Sequence, residues 1–417
     1  MRDSPKKSFE IRVSVTHNRV RTSFMKEVSM DINHSRRSFL AAGLGVPVLA
    51  SATRSFTSDS QPSAVAHSTA PKFQYRVLGK TGLRVTTVGF GCMITSDPSV
   101  IERAADLGVT YFDTARGYQG GNNERMVGVA LRKKRKDIVL SSKSHAGSRD
   151  EALRDLDKSL QELGTDYLDV WYLHAKSAPD QVTDDLIDAQ QTAKKAGKIR
   201  FAGVSTHSGQ PELMPFLGKN SNIDVILTSF NFTMEPVMKT LIADAAAAGK
   251  GIVAMKVMAG GYRKIRPGDP NYNKLKAEGG MLSALKWVVR DPNVHTTIPS
   301  ITDMDQLEEN LRAMAEPYGA PDESLLGAQL ETIRPLYCRM CGKCDGQCRA
   351  GLPVSDMLRY VTYADGYGQY ALGRENFLGL SAEHAAVDCG NCPGCTVECP
   401  HGVKVSRQLI RARELFA

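Results

Sequence analysis

Four titratable residues in the first half of the chain could take part in proton transfer: Asp113, Tyr118, Lys143 and His174. A carboxyl, a phenol, an ammonium and an imidazole are groups that proteins use for general acid–base chemistry. Taken singly, each residue has an ordinary structural interpretation, as a turn aspartate, a surface tyrosine, a solvated lysine or a buried histidine. They form a candidate site only if the fold brings them together, which depends on the elements that carry them.

The C-terminal part of the chain has a second set of chemically capable side chains. Eight of the nine cysteines lie between positions 338 and 399, in two runs that both read C-x₂-C-x₂-C-x₃-C. This is the spacing of bacterial ferredoxins, in which three cysteines of a run bind one [4Fe-4S] cluster and the fourth binds the other cluster. The expected ligands are Cys338, Cys341, Cys344 and Cys399 for one cluster, and Cys389, Cys392, Cys395 and Cys348 for the other.

The cysteine pattern has two alternatives. Zinc would need only four thiolates, typically in separated C-x₂-C pairs, and disulfides between cysteines three positions apart would constrain little of the chain. The first run departs from the ferredoxin pattern because no proline follows Cys348. Helices predicted at Pro353–Tyr363 and Gly379–Ala386 resemble those of the helical ferredoxins. We expect the ninth cysteine, Cys92, to be a buried small residue rather than a ligand.

The elements that would position the four titratable residues are short apolar strands alternating with amphipathic helices. Eight such strands over about 240 residues predict an α/β fold, a (β/α)₈ barrel at 73–333, followed by a small, mostly helical iron–sulfur domain at 334–417. An open doubly wound sheet would favour a G-x-G-x-x-G turn, and none follows the first strand. The predicted strands are Val85–Gly91, Thr110–Asp113, Asp137–Lys143, Tyr167–His174, Ile199–Ser205, Asp224–Phe230, Gly251–Lys256 and His295–Ile298.

A (β/α)₈ barrel has its active site at the C-terminal ends of the strands. Asp113, Lys143 and His174 end the second, third and fourth predicted strands, and Tyr118 lies in the loop after Asp113. We therefore expect all four side chains to converge at one mouth of the barrel.

The residues around this expected site resemble the aldo-keto reductase family. Residues 108–118 read GVTYFDTARGY, which is similar to the active-site signature of that family, and the resemblance covers roughly 75–315. Further similar motifs follow in the family's order: LGKTGL (78–83) before the signature, then VLSSK (139–143), VWYLH (170–174), GVS (203–205), Ile298-Pro299 and Glu309-Asn310.

The resemblance implies an oxidoreductase that interconverts a carbonyl and an alcohol by hydride transfer with a nicotinamide cofactor. Tyr118 would be the general acid and base, and the ammonium of Lys143 would lower its pKa by favouring tyrosinate. Asp113 would pair with Lys143, and His174 would donate a hydrogen bond to the substrate oxygen.

The nicotinamide end of the implied cofactor site differs from the family pattern. Ser205 matches the residue that hydrogen-bonds the carboxamide, but Thr206 stands where asparagine is common. Lys256, with Met255 before it, replaces the aromatic residue that usually stacks on the nicotinamide.

The adenosine end also differs from the family pattern. The positions that bind the 2′-phosphate of NADPH read Ser300, Ile301 and Gln306, none of which is cationic. Glu309 and Asn310, which would hold the adenine, are present. We therefore expect NAD(P)(H) to bind without a disadvantage for NAD(H), because charge-assisted contacts to the phosphate are missing.

The N-terminal segment resembles a twin-arginine export signal. Arg36-Arg37 precedes the weakly apolar Ala41–Ala50, and Ala50-Ser51-Ala52 offers an A-x-A-like cleavage site. The alternative is a chance basic pair before a buried helix. We expect a signal at 1–52, a flexible linker at 53–72, and a periplasmic or other extracytoplasmic location reached in the folded state.

Charge and hydropathy limit the partners. Residues 1–70 carry ten Lys/Arg and five Asp/Glu, so +5 of the net +8 lies there and the remaining +3 provides no broad basic face for nucleic acid. No segment approaches the run of about 20 apolar residues that spans a membrane, so we expect no stable span after signal cleavage. The expected partners are a small carbonyl or alcohol substrate and a redox partner protein.

Two alternative functions remain: a nicotinamide-binding redox sensor with little turnover, and an electron-transfer subunit whose barrel is a docking scaffold. A nicotinamide gives up two electrons as hydride, whereas one [4Fe-4S] cluster takes one electron, and the sequence contains no flavin motif that would split the pair. The clusters are therefore expected either to carry electrons or to brace the fold.

Overall fold

The computed structural model of the protein describes residues 73–262 and 279–417. The predicted export signal and linker lie outside the described residues. Within the described part of the chain, no helix has the length and apolar character needed to cross a membrane.

A parallel barrel dominates the described residues. Its eight strands are β3 (Phe90–Gly91), β4 (Tyr111–Asp113), β5 (Val139–Ser144), β6 (Leu168–Leu173), β7 (Ile199–Thr206), β8 (Val225–Ser229), β9 (Gly251–Met255) and β10 (Thr296–Thr297). Each strand pairs in parallel with the next along the chain. The edges β3 and β10 meet through backbone hydrogen bonds from Gly89 N to Thr297 O (2.8 Å) and from Thr297 N to Thr87 O (3.0 Å). The sheet is therefore a nearly closed (β/α)₈ barrel, as predicted.

The first predicted strand, Val85–Gly91, is wrong as a single element. Its beginning belongs to an antiparallel hairpin of β1 (Tyr75–Val77) and β2 (Arg84–Thr86), and only β3 enters the barrel. The Thr86 hydroxyl donates to the carbonyl of Val88 (2.7 Å) where the chain turns between the two strands. The turn was not visible in the sequence because apolar residues continue across it.

The hairpin closes the amino-terminal end of the barrel. Leu78 in its loop is completely buried with the apolar side chains of the barrel interior. Lys80 N donates to the carbonyl of Gly249, directly before β9, at 2.9 Å. The amino-terminal end of the barrel is therefore filled by the hairpin, and an active site can form only at the carboxy-terminal end of the strands.

Nine helices of the described residues follow the strands and cover the barrel. Several begin at side-chain caps: Asp97 accepts from Ser99 N at 2.9 Å, and Thr183 accepts from Leu186 N. Their buried faces form an outer core with the strands. The helices are α1 (Pro98–Leu107), α2 (Asn122–Leu131), α3 (Arg149–Leu163), α4 (Asp184–Lys195), α5 (Gln210–Lys219), α6 (Val237–Ala247), α7 (Gly280–Val289), α8 (Met304–Arg312) and α9 (Ala320–Ile333).

The cysteine-rich segment, residues 334–417, has its own small core. Its helices are α10 (Val354–Val361), α11 (Tyr370–Leu378), α12 (Ala382–Ala386) and α13 (Val405–Phe416), and a π-helical turn at Thr362–Gly366 extends α10. Apolar side chains of α10 and α13 form the core, against which cysteines of both runs pack.

The cysteine-rich segment docks on the barrel beyond the C-terminal end of β9. The hydroxyls of Tyr262 and Thr362 lie 3.4 Å apart. A Cβ atom on Gly366 would lie 2.2 Å from the carbonyl oxygen of Gly260, so only glycine permits this approach. The π-helical turn therefore sits at the end of the barrel where strand ends converge.

Candidate active site

Asp113, Lys143 and Tyr118 meet at the C-terminal end of the barrel. Lys143 is the next-to-last residue of β5, which pairs with β4, and its Nζ donates to Asp113 Oδ2 at 2.5 Å and to the carbonyl of Thr114 at 2.8 Å. The same Nζ lies 3.3 Å from the Tyr118 hydroxyl. The second carboxylate oxygen of Asp113 accepts from the hydroxyl of Ser141 at 2.7 Å. The structure thus brings together three of the four predicted residues in direct contact.

The charge state of Lys143 follows from its neighbours. Burial alone would lower the pKa of Lys143, but the negative charges of Asp113 and of ionised Tyr118 outweigh burial and raise that pKa above its usual value. Lys143 is therefore an ammonium at neutral pH, and it presents a fixed positive charge to the tyrosine.

The expected net lowering of the Tyr118 pKa is not found. Burial raises the pKa of Tyr118, the ammonium of Lys143 opposes that increase without cancelling it, and the carboxylate of Asp113 adds to it. Tyr118 therefore keeps its proton across neutral pH, which is the form that can donate to a developing alkoxide.

His174 is the fourth residue of the set. Its ring lies edge-on to the ring of Tyr118, with centroids 5.9 Å apart. Burial, assisted by the positive charge of Lys143, holds the pKa of His174 well below its usual value. The ring is therefore a neutral imidazole, which can donate one hydrogen bond to a substrate oxygen.

Two further histidines at the mouth were missed in the sequence. His145 stacks on His174 at a centroid distance of 3.8 Å, and His207 follows the end of β7. Burial lowers the pKa of both. A signal was available, because His145 comes two residues after Lys143 in a loop that follows a barrel strand, where mouth residues are found.

Several buried polar groups at this end of the barrel have no partner. Among the described residues, His174 Nδ1, His207 Nδ1, Ser229 Oγ and both amide atoms of Asn310 are buried without a hydrogen bond. Buried polar groups are normally paired, so such a set indicates a site that is completed by a ligand. Asn310, which was predicted to hold the adenine, is such a residue, because both polar atoms of its buried amide lack a partner.

The residues predicted for the nicotinamide end lie at the ends of β7 and β9. Ser205 Oγ accepts from the backbone N–H of Ala175 at 2.8 Å, and Thr206 Oγ1 donates to the carbonyl of Ser208 at 2.6 Å. Lys256 has a φ of 55°, in the left-handed region, and Asn231 donates to its carbonyl at 3.0 Å. Burial lowers the pKa of Lys256 to about 7.

The residues predicted for the adenosine end lie around the start of α8. Ser300 bridges to Gly91 at the closure of the barrel, and Glu309 and Asn310 lie on α8. The Gln306 amide donates to Asp303 Oδ2 at 2.6 Å and to the hydroxyl of Thr302 at 2.7 Å. This region therefore adds a carboxylate, Asp303, to the uncharged residues that were predicted.

The eight cysteines of the two runs fall into two groups of four. The negative charges that act on Cys338 include those of Cys344, Cys341 and Cys399, whereas those that act on Cys389 are those of Cys348, Cys395 and Cys392. The fourth cysteine of each run therefore lies with the first three of the other run. Burial raises the pKa of Cys338 to about 12 and that of Cys344 to about 11, so these thiolates need compensating positive charge.

Gln347 joins the ends of the two runs. Its side-chain oxygen accepts from the backbone N–H of Glu398 at 2.8 Å, and its carbonyl accepts from the hydroxyl of Thr396 at 2.7 Å. These contacts place Cys348 and Cys399, which follow Gln347 and Glu398 in sequence, beside the opposite runs.

The nine cysteines, all within the described part of the chain, are free thiols. Cys92 is completely buried at the end of β3. No three His, Cys, Asp or Glu side chains of the described residues converge around a single ion position.

The cysteine-rich segment also contributes side chains to the barrel mouth, which no sequence motif predicted. Tyr363, in the π-helical turn, is buried, and its charge when ionised acts on Tyr118. Lys256 Nζ lies 6.0 Å from the centroid of the Tyr363 ring. Tyr337, next to Cys338, accepts from the side-chain amide of Asn231 at 3.2 Å. One cysteine group and the mouth are therefore neighbours.

Comparison with known proteins agrees with this architecture. An oxidoreductase of Bacillus subtilis (strain 168) described as uncharacterized is 28% identical over 310 residues, which cover 63% of this chain and 97% of that protein. L-galactose dehydrogenase of Arabidopsis thaliana is 26% identical over 64% of this chain and 97% of its own. The holo form of an aldo-keto reductase from Bacillus halodurans superimposes with a TM-score of 0.53 at 26% identity, over 61% of this chain and 96% of that one.

The sequence of the chain also matches a protein-family model. The model of the aldo/keto reductase family matches residues 96–324, more than half of the chain and most of the barrel, and the two cysteine runs lie beyond the matched residues. The predicted aldo-keto reductase-type NAD(P)-dependent oxidoreductase is confirmed at this level. The barrel, its closing hairpin and the matched residues together show that the chain belongs to the aldo/keto reductase family.

Proposed function

We propose that this chain is an exported enzyme that interconverts a carbonyl and an alcohol, with NAD(P)(H) as cofactor and Tyr118 as general acid and base. The observation that supports this most directly is the contact of Lys143 Nζ with both Asp113 Oδ2 and the Tyr118 hydroxyl. A proton donor, a fixed positive charge beside it and a neutral imidazole of His174 then surround one point at the mouth.

A bound reduced nicotinamide would supply the hydride. Tyr118 donates its proton to the oxygen of the substrate as negative charge develops there, and the tyrosinate that remains is stabilised by the ammonium of Lys143 until solvent returns a proton. His174 donates a hydrogen bond to the same oxygen and orients the carbonyl. Asp113 keeps Lys143 in position and charged. In the reverse direction tyrosinate accepts the proton of the alcohol.

Chain residues suited to hold the cofactor lie on both sides of this point. Ser205 would hold the nicotinamide carboxamide, and Asn310, whose amide has no hydrogen-bond partner among the described residues, would hold the adenine together with Glu309. Of the described residues predicted for the 2′-phosphate, Ser300 and Gln306 are uncharged, and Asp303 beside Gln306 is a carboxylate, so none of these three offers a cation to NADP(H).

In this proposal the cysteine-rich segment binds two [4Fe-4S] clusters, each held by three cysteines of one run and the fourth of the other. The two groups of four free thiols support it. The positive charge of the iron would offset the thiolate charges that burial disfavours. The segment has a small core, so the clusters also brace the part of the chain that covers the mouth.

A turnover assay tests the catalytic part of the proposal. The full chain, purified anaerobically, is assayed with NADH and NADPH against a panel of aldehydes and ketones, beside Tyr118→Phe. We expect Tyr118→Phe to bind nucleotide normally and to turn over about 10²–10⁴-fold more slowly, the range for loss of a general acid. Equal turnover of the two proteins would remove Tyr118 from its role.

Export is tested separately through the arginine pair Arg36-Arg37. Replacing both arginines by lysine should leave folded, cluster-containing precursor in the cytoplasm, since the paired arginines are the feature that the twin-arginine route reads. Fractionation of cells that express either protein gives the result. Normal export of the lysine variant would contradict this route.

A further inference from the structure

Arg359 extends from α10 of the cysteine-rich segment toward the mouth of the barrel. Burial is the main reason that the pKa values of His145, His174, His207 and Lys256 are lowered, and the positive charge of Arg359 adds to the lowering in all four. A cation from the segment outside the matched barrel therefore lies close enough to act on the residues around the reacting centre.

The guanidinium of Arg359 is oriented by its own segment and retains free donors. Nη2 donates to Asp356 Oδ1 at 2.7 Å, and Nη1 donates to the hydroxyl of Tyr363 at 3.3 Å. Nε is buried and has no hydrogen-bond partner among the described residues. A guanidinium has five N–H donors in a planar fork that matches carboxylate and phosphate geometry, so Arg359 can bind an anion without leaving Asp356.

Lys256 is a second basic group at this position, and its pKa of about 7 leaves it about half protonated at neutral pH. Its Nζ faces the ring of Tyr363, the same residue that accepts from Arg359. The charges that act on Lys256 are those of Arg359 and Cys338, so within the described residues it has no carboxylate partner. Two basic side chains, Arg359 and Lys256, therefore lie on either side of Tyr363, beyond the C-terminal end of β9.

Carboxylates at the mouth are already used by other groups. Asp113 is paired with Lys143, and Asp155, whose charge acts on His145, accepts from the hydroxyl of Ser144. Neither carboxylate is therefore free to pair with the remaining donors of Arg359. Positive charge that is partly removed from water attracts an anionic ligand strongly, because solvent screens it less than at the surface.

We propose that Arg359, together with Lys256, binds an anionic group, a carboxylate or a phosphate, on the substrate whose carbonyl or alcohol reacts at Tyr118. This inference rests on the proposed function and names its substrate class. The cysteine-rich segment then has a direct part in substrate selection, because it brings the guanidinium to the mouth through the π-helical turn that docks on Tyr262. π-helical turns occur frequently at functional sites.

The test compares aldehydes of the same carbon chain length with and without an anionic group. The full chain with its clusters is assayed with 4-oxobutanoate against butanal for the carboxylate, and with glycolaldehyde phosphate against glycolaldehyde for the phosphate. The variants are Arg359→Gln, which removes the charge, and Arg359→Lys, which keeps it. Arg374→Gln, at an exposed arginine of α11, is the matched control. Calorimetry with succinate and with inorganic phosphate measures anion binding without turnover.

We expect the wild-type protein to prefer the charged member of one pair, and that pair identifies the anion. Arg359→Gln should raise the KM of the charged aldehyde by about 10- to 100-fold, the value of a charge-assisted hydrogen bond, and leave the neutral aldehyde within about threefold. Succinate or phosphate binding should weaken in parallel. Arg359→Lys should recover part of the loss, and Arg374→Gln should behave as wild type.

Three results would overturn the inference. The first is equal use of charged and neutral aldehydes by the wild-type protein, and the second is an equal loss for both in Arg359→Gln. The third is a loss of NADH affinity in Arg359→Gln as large as the loss of anion affinity, which would assign the guanidinium to the cofactor's phosphates. Anion binding that depends on Arg359 in a protein that reduces no aldehyde would refute the proposed function and leave the anion site in place.

Discussion

Lys143 Nζ and Asp113 Oδ2 lie 2.5 Å apart in a region where the lysine side chain is 1% and the aspartate side chain 2% exposed. Lys143→Met would leave the carboxylate buried and unpaired, so we expect a loss of about 3–5 kcal/mol in the free energy of unfolding. Asp113→Asn combined with Lys143→Met should recover part of that loss, since no charge is left without a partner. Denaturant unfolding under anaerobic conditions measures both, and equal losses in the two proteins would contradict a true ion pair.

The raised pKa of Tyr118 and the lowered pKa of His174 predict how the rates depend on pH. Carbonyl reduction needs protonated Tyr118, so kcat/KM for a neutral aldehyde, which does not use Lys256, should be flat from about pH 6 to pH 9, where neither group changes its charge. Alcohol oxidation needs tyrosinate, so its rate should rise about tenfold per pH unit over the same interval, without a plateau. Tyr118→Phe should lose the pH-dependent rise. A plateau of oxidation below pH 9 would show that the tyrosine pKa is lowered in the working enzyme.

Coenzyme preference should not favour the phosphorylated form. Ser300 and Gln306 provide no cation, and Asp303 places a carboxylate near the expected 2′-phosphate. Each missing charge-assisted contact is worth about 1.5–3 kcal/mol, so NAD(H) should bind at least as tightly as NADP(H) in fluorescence titrations. Asp303→Asn should shift the ratio toward NADP(H), since it removes a repulsive charge. A tenfold preference of the wild-type chain for NADP(H) would mean that a cation elsewhere binds the phosphate.

The two clusters should depend on each other. Cys348 lies with Cys389 and its neighbours, so Cys348→Ser should disturb the cluster of the second run rather than that of its own run. Iron and acid-labile sulfide, with electron paramagnetic resonance of the reduced protein, report the loss from about eight irons per chain. Cys92→Ala, at the buried cysteine outside both groups, is the control and should retain all the iron. Zinc without sulfide in the anaerobic wild-type protein would refute the iron–sulfur interpretation.

The barrel could be predicted because strands and helices have different periodicities, and because a parallel barrel places every strand end on one face. That rule alone brought Asp113, Lys143 and His174 to one mouth. The split of Val85–Gly91 into two strands could not be seen, since a turn stabilised by a threonine hydroxyl leaves the apolar pattern intact.

The pKa of Tyr118 was predicted only in part. Its neighbour Lys143 follows from strand register, but the burial that outweighs the ammonium depends on packing around the whole mouth. Arg359 and Tyr363 were missed for a related reason. They belong to no motif, and they reach the mouth only through docking of a segment far away in sequence.

The packing of α13 against α10 has a consequence for the timing of biosynthesis. Phe416 at the end of α13 is fully buried in one core with Leu358 of α10, and its ring lies 5.6 Å from that of Phe377 on α11, so the core beneath Arg359 is complete only after α13 is in place. The ribosome finishes every barrel strand before it makes this helix. The barrel strands therefore leave the ribosome before α13 does, and the proposed selection of substrate by Arg359 would begin only when α13 has packed on its segment.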